Sequence, residues 1–180
     1  MVYLFGDLHG DISRFQKRLF HHSGIKKTDQ VIVLGDFGIP FAMYHETPSN
    51  DAVRKIEELS KRKFDVLYLD GNHDNHVYIN SLPSEERYGN SVHRLASGLY
   101  HLKRGLVYSI GGKNFLTIGG GFSIDRAVRK LGISWWAEEE LSDYDTETIE
   151  QSLLKVGYEV DYVLTHTPPM RIMRDIVGKG

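Results

Sequence analysis

Four short apolar runs punctuate the chain, and each breaks off into a polar turn. Val2–Phe5 leads into Gly6-Asp7, residues 31–34 into Gly35-Asp36, residues 66–69 into Asp70-Gly71-Asn72-His73, and Tyr162–Thr165 into His166. Hydrophobicity is continuous along each run rather than alternating, and β-branched and aromatic residues recur, which is how a strand buried on both faces reads. Helical spacing fills the intervals. Ile12, Phe15 and Leu19 stand three and four apart, with Asp11 placed to cap. Val53, Ile56 and Leu59 line a second helix, and Lys61, Arg62 and Lys63 are assigned to its last turn, where the macrodipole favours cations. Strands alternating with helices predict right-handed crossovers and a largely parallel sheet. The middle of the chain differs. Residues 106–110 and 115–118 flank Gly111-Gly112-Lys113-Asn114, which predicts a hairpin and an antiparallel section adding a second sheet. Further helices are predicted over 134–141, over 146–156 and from Met170.

The polar clusters all fall just past the carboxyl ends of predicted strands, the edge at which open α/β sheets bind ligands. Asp7 and His9, then Asp36, then Asn72 with His73 and Asp74, then His166 are therefore expected on one rim. Each cluster alone can be an ordinary strand-to-helix turn, glycine supplying the unusual dihedrals and aspartate a local hydrogen bond. Their conjunction points elsewhere. Carboxylate, imidazole and amide oxygen without sulfur suit Mn²⁺, Fe or Zn²⁺. Two cations roughly 3.5–4 Å apart need a shared ligand, which a two-oxygen carboxylate can be. Such a pair makes a hydroxide nucleophile from water and neutralises phosphoryl oxygens, while a histidine oriented by a carboxylate can protonate the leaving alkoxide.

Composition narrows the picture. The 180 residues contain no cysteine, which excludes disulfides, thiolate metal sites and a cysteine nucleophile, and makes a reducing, cytoplasmic setting the default expectation. A formal charge of −2 gives no basic footprint for nucleic acid, and no run reaches membrane-spanning length. One domain is expected over 1–180. Gly111-Gly112-Lys113 is not a P-loop, because the glycine that motif needs at position 107 is Val107.

Gly6-Asp7-Leu8-His9-Gly10, Gly35-Asp36-Phe37-Gly38, Gly71-Asn72-His73-Asp74 and Thr165-His166-Thr167-Pro168-Pro169 resemble four successive signature blocks of the calcineurin-like metallophosphoesterases. The segment from Gly119 to Asp125, with Trp135-Trp136 after it, looks like prokaryotic members. The resemblance implies an α/β fold in which two mixed β-sheets pack as a sandwich with helices on both outer faces. It implies two divalent metal ions, Mn²⁺ foremost, with Asp7 and His9 on the first, Asn72 and His166 on the second, and Asp36 bridging. His73 would be the general acid, with Asp74 holding its ring. The substrate would be a phosphorylated molecule, whether phosphoprotein, nucleotide, dinucleotide or cyclic diester. Two departures stand out. The second block continues Gly38-Ile39-Pro40-Phe41, without the arginine of eukaryotic-type protein phosphatases. The fifth family block, Gly-His-x-His, is absent, and no histidine lies beyond His166, so the resemblance leads one to expect a C-terminally incomplete domain. A non-catalytic scaffold on the same fold is the alternative function; retention of His73 and of every ligand position in the first three blocks favours the enzyme.

The remaining candidates read as ordinary or peripheral. His21 and His22 suit the end of the first helix, and His93 and His101 flank the hairpin region without an assigned role. His76 is close enough to Asn72 to stand behind the site, and His45, with Tyr44 and Phe41, could overhang Asp36. Trp135 and Trp136 are expected to be buried helix residues. Arg126 and Arg129, after a glycine-rich turn, fit substrate phosphate or a solvated helix face equally well.

Overall fold

Adjacent residues of the central strands bury opposite faces against different partners, and that explains their unbroken hydrophobicity. The computed structural model describes residues 1–13, 25–39, 49–169 and 171–172. Among them, β1 (Val2–Phe5), β2 (Gln30–Leu34) and β3 (Asp65–Leu69) pair in parallel. Next come β4 (Ser84–Arg87), β5 (Asn90–Ala96) and β6 (Leu99–Leu102); β6 runs parallel to β3, and the hairpin β4–β5 extends the sheet antiparallel, giving the order β1-β2-β3-β6-β5-β4. A smaller sheet holds β7 (Val107–Ile110), β8 (Lys113–Ile118) and β9 (Tyr162–Thr165), with β7–β8 antiparallel and β8–β9 parallel. Three helices are described: α1 (Asn50–Ser60), α2 (His76–Ser81) and α3 (Asp143–Lys155).

Val31, Val33, Val66 and Tyr68 point to one face of the larger sheet, where they meet Ala52 and Leu59 of α1 and Ile79 of α2. Ile32, Leu67 and Leu69 point to the other face and meet Tyr108, Ile110, Phe115 and Leu164 of the smaller sheet. The period of two thus yields two cores from one run, with about 1.5–3 kcal/mol for each large side chain withdrawn from water. The two mixed sheets face each other as expected. On the far side, a Cβ at Gly105, just before β7, would meet Thr148 and Ile149 of α3, which places that helix beside the smaller sheet.

Several sequence expectations shift. The β7–β8 hairpin forms on Gly111-Gly112, both with positive φ (60° and 78°), the two-residue turn whose twist matches the strands. Helix α1 is capped by Ser49, whose side chain accepts from Ala52 N–H, but ends at Ser60, so Lys61, Arg62 and Lys63 lie beyond its last turn rather than in it. Helix α3 begins three residues earlier than predicted because Ser142 and Asp145 form a reciprocal capping box, a polar first turn that apolar periodicity cannot register. The helix predicted over 134–141 does not form. In its place are a bridge between Leu131 and Trp135 and a 3₁₀ turn at Ala137–Glu139. Tertiary partners take the carbonyls a helix would use: Glu139 O accepts from Gly121 N–H at 2.8 Å and Glu140 O from Arg104 at 3.1 Å. Trp136 is nonetheless buried. The β4–β5 hairpin had no sequence signal, since Ser-Glu-Glu-Arg in an edge strand is polar throughout. Of the helix predicted from Met170 only residues 171–172 are described, and they are helical; the predicted helix beyond Ser13 and the residues Phe41, Tyr44, His45, His21 and His22 lie outside the described residues.

Candidate metal centre

Parallel pairing brings the ends of β1, β2 and β3 side by side, and β9 delivers His166 from the smaller sheet, so the polar turns share one edge of the sandwich. The turns are also tied to each other. His9 N–H donates to Asp36 O at 2.8 Å and Gly10 N–H to Phe37 O at 2.9 Å. A Cβ at Gly71 would stand 2.1 Å from Asp36 Oδ1, and one at Gly35 2.3 Å from His166 Nδ1; only glycine lets these side chains approach. Asp7, His9 and Asp36 themselves adopt left-handed backbone, with φ of 57°, 46° and 47°. Such conformations cost about 1–3 kcal/mol each in non-glycine residues and persist where surrounding structure enforces them, characteristically at functional sites.

The five expected metal ligands come together in an open cleft of about 450 Å³, which His73, Thr167 and Pro168 also line. Donor atoms of Asp7, His9 and Asp36 lie within 4.8 Å of one another. His9 Nε2 is 2.9 Å from Asp7 Oδ1 and 3.6 Å from Asp36 Oδ2. On the other side, His166 Nε2 is 3.2 Å from Asn72 Oδ1 and 3.5 Å from Asp36 Oδ1. Ligand atoms about 2.1 Å from a common cation stand roughly 3–3.5 Å apart, so both groups fit one ion each. Asp36 turns a different oxygen to each group, so one carboxylate could serve both.

Tautomer and amide orientation sharpen the fit. The Nδ1–H of His166 donates to Leu34 O at 2.9 Å, which leaves Nε2 as a bare lone pair. Asn72 Nδ2 donates to Ser123 Oγ at 3.0 Å, which turns its Oδ1 toward His166. Ser123 is held in turn by the buried Glu139, whose two oxygens accept from Ser123 N–H (2.8 Å) and Oγ–H (2.7 Å). Lone pairs on His166 Nε2, Asn72 Oδ1 and Asp36 Oδ1 therefore converge, and the donor that reaches them is the His73 backbone N–H, on Asp36 Oδ1. A cation relieves that arrangement, and the donor set suits Mn²⁺, Fe or Zn²⁺. Ser123 and Glu139 were invisible as site residues in the sequence, the only signal being the glycine-rich segment in which Ser123 sits.

Asp74 does not hold the His73 ring. Its carboxylate is fully buried and accepts from the N–H groups of Gly71 (2.9 Å), Gly38 (3.1 Å) and Phe37 (3.3 Å), so it pins the Asp36 turn to the Asn72 turn. Burial pushes its carboxyl up to about 7, against the lowering pull of the Gly71 N–H. The residue that reaches the His73 ring is Arg129, with Nη1 2.8 Å from Nδ1 and Nη2 3.0 Å from Nε2. Burial lowers the His73 pKa; Asp36 opposes that shift and Arg129 adds to it. The backbone N–H of His73 donates to Asp36 Oδ1 at 2.9 Å, and its ring stands edge-on to His9 at 5.3 Å.

His76, His93 and His101 are not peripheral residues. They surround the buried Asp70, at the end of β3, on the far side of the same turn. His101 Nε2 donates to Asp70 Oδ1 at 2.9 Å, and His93 Nδ1 lies 3.2 Å from His101 Nδ1. Arg104 grips Asp70 Oδ2 through Nε (2.8 Å) and Nη2 (2.5 Å), and Nη2 is 3.3 Å from His76 Nδ1. Burial works to raise the Asp70 carboxyl, but the His101 hydrogen bond and the Arg104 charge hold it well below the usual range. Burial also pulls His76 and His93 down to about 4. His76 thus belongs to this second network rather than to the cleft.

The whole chain answers to one family: the calcineurin-like phosphoesterase model matches residues 1–178. The chain belongs to the calcineurin-like phosphoesterases. Members of this family are generally metal-dependent phosphoesterases and typically bind two divalent cations, which accords with the two donor groups sharing Asp36. A search of curated proteins returned no match. Among the described residues no helix is long and apolar enough to cross a membrane.

Proposed function

We propose that this calcineurin-like phosphoesterase is a two-metal phosphoric ester hydrolase working with Mn²⁺ in preference to Fe or Zn²⁺. The observation that carries this reading is the convergence of imidazole, carboxylate and amide oxygen ligand atoms around the two oxygens of Asp36. Asp7, His9 and Asp36 would hold one cation, and Asp36, Asn72 and His166 the other. Bound there, the cations would supply Lewis acidity toward water and the phosphoryl oxygens. The chain's own residues do the rest. The Glu139–Ser123–Asn72 chain keeps an amide oxygen, not an amide N–H, at the second position. Leu34 O keeps His166 in the tautomer that can ligate. Asp74 locks the turns bearing Asp36, Asn72 and His73 in register, by way of three backbone N–H groups. His73, next to Asn72 in sequence and beside His9 in space, lies within reach of the leaving oxygen and gives it a proton.

The reading is tested on protein purified without chelator. Mn²⁺-loaded protein is expected to hydrolyse an aryl phosphate, chelation to abolish the activity and Mn²⁺ to restore it. Full hydrolysis in excess chelator would contradict it.

A further inference from the structure

Resting on that reading, we infer that Arg129 is the positioning residue of His73: a guanidinium fixed by Asp125 and by the Ser134 carbonyl holds the imidazole in the orientation and tautomer in which it meets the departing oxygen. The family resemblance implied Asp74 for that task, but the Asp74 carboxylate faces three backbone N–H groups instead. A guanidinium has five N–H groups, and each of those on Arg129 has a place. Nε donates to Asp125 Oδ1 at 2.7 Å and Nη2 to Asp125 Oδ2 at 2.8 Å, the bidentate pairing that sets the plane of the fork. Nη1 donates to Ser134 O at 3.0 Å. The N–H left on each Nη points at the imidazole, Nη1 at His73 Nδ1 (2.8 Å) and Nη2 at His73 Nε2 (3.0 Å). Among the described residues no other group hydrogen-bonds either nitrogen of that ring.

The fork is itself held in place. Asp125 and Arg129 flank the 3₁₀ turn Arg126–Val128, so their ion pair closes over that turn, and the Arg129 side chain is mostly buried. Ser134 is tied back to Lys130 twice, its N–H donating to Lys130 O at 2.8 Å and its Oγ accepting from Lys130 N–H at 2.9 Å. The backbone of His73 is pinned through its own N–H to Asp36 Oδ1 at 2.9 Å, which fixes where the side chain starts; Arg129 fixes where it points. A neutral imidazole accepts at one nitrogen and donates at the other, so one of the two contacts is a hydrogen bond and the other nitrogen bears the ring proton. On that other side a donor faces a donor. It is therefore the side that opens when a departing oxygen supplies an acceptor, while the first contact keeps the ring from turning. Placement of this kind matters to rate, because a reacting group displaced by about 1 Å can cost about a hundredfold.

The inference is tested by a double-mutant cycle on the Mn²⁺-loaded protein and by nitrogen–proton NMR spectra of the histidine rings in the metal-free protein. With ethyl phosphate as substrate, Arg129→Ala is expected to lower kcat by about 10–100-fold with KM little changed, and to cost nothing further in a His73→Ala background. The loss is expected to narrow for nitrophenyl phosphate, as it does for His73→Ala. Arg129→Lys, which keeps the charge but cannot grip Asp125, Ser134 and the ring together, is expected to recover little. Asp125→Asn, an exposed change that leaves the arginine in place, is expected to give a smaller loss with the same leaving-group dependence, and it stands in should an Arg129 variant fail to fold. In the spectra the His73 signals, assigned by their disappearance in His73→Ala, are expected to show one protonated and one bare nitrogen in wild type and two averaged nitrogens in Arg129→Ala. Losses that multiply in the double variant, or His73 signals unmoved in both Arg129→Ala and Asp125→Asn, would overturn the inference while leaving the phosphoesterase reading intact. A wild-type protein that hydrolyses neither ester would instead contradict the phosphoesterase reading, and ring signals that move in the variants would still uphold Arg129 as the residue that holds His73.

Discussion

Two clusters of aspartate and histidine sit back to back across the turn that follows β3, built from the same residue types for opposite ends. At Asp70 every strong acceptor meets a donor: His101 on one oxygen, Arg104 on the other, and His93 relaying to His101. At Asp36 the one hydrogen-bond donor described is the His73 backbone N–H, and no arginine or lysine pairs with the carboxylate among the described residues. Its two oxygens face His9 and His166, whose neighbours are another carboxylate and an amide oxygen. The first cluster carries its own cation in Arg104, around a buried Asp70, whereas the second lines an open cleft. A buried charge needs an internal partner to be tolerated, whereas an open group of lone pairs in enforced backbone geometry can take an ion from solution. Residue type alone therefore does not separate scaffold from site. What separates them is whether the counter-charge is part of the chain.

The comparison breaks most decisively at Asp36. Asp36→Asn is expected to lower hydrolysis by more than about 100-fold, beyond the range for residues that merely support a ligand, and to reduce both metals rather than one. Asp7→Asn is expected to cost less. Metal analysis of the two variants checks this, and wild-type stoichiometry in both would rule out a shared ligand.

His73→Ala is expected to reduce turnover by roughly 10²–10⁴-fold with metals retained. The deficit should narrow for nitrophenolate, which needs no proton to leave. A deficit independent of the leaving group would argue that His73 serves some other purpose.

The buried cluster gives the mirror image. Arg104→Met leaves Asp70 charged and uncompensated, and a loss of about 3–5 kcal/mol in unfolding free energy is expected, read from urea denaturation. Asp70→Asn added to it should recover part of the loss. An Arg104→Met protein as stable as wild type would mean that Asp70 is satisfied without the guanidinium.

Between the two lies Ser123→Ala. It frees the Asn72 amide to rotate and is expected to weaken the second metal by about 10–100-fold, measured by competition with a chromogenic chelator, without loss of fold. Unchanged affinity would place the control of Asn72 elsewhere.

The smallest effect is one of pH. His76 and His93 titrate near 4 when folded and near 6.5 when unfolded. Between those values the unfolded chain binds more protons at these two groups, so their contribution to stability is expected to fall as pH drops from about 6.5 to 4, opposed in the same window by the one proton that folded Asp74, raised to about 7, retains. Denaturation of the metal-free protein at several pH values checks the slope, which should shrink in His93→Asn.

The sequence alone determined the strands that matter and the rim they feed. Continuous apolar runs ending at Asp7, Asp36, Asn72 and His166 are a local signal, and parallel pairing follows from the intervening helices, so the rim these residues share is legible in the sequence, while the ligand roles proposed for them come from the family resemblance. It could not determine where a side chain turns. Asp74 follows His73 in the chain, yet it faces backward into three backbone N–H groups, because the turn holding Asp36 packs over it. Glu139 lies in a stretch with helical composition, yet Arg104 and Gly121 take its backbone and Ser123 its carboxylate. Arg129 reaches His73 across 56 positions, and His93, His101 and Arg104 close on Asp70 from strands β5 and β6 and the segment beyond. Local pattern records which residues are buried or exposed. Which donor finds which acceptor across long separations is settled only when the sheets pack, since burial then obliges each polar group to find a partner.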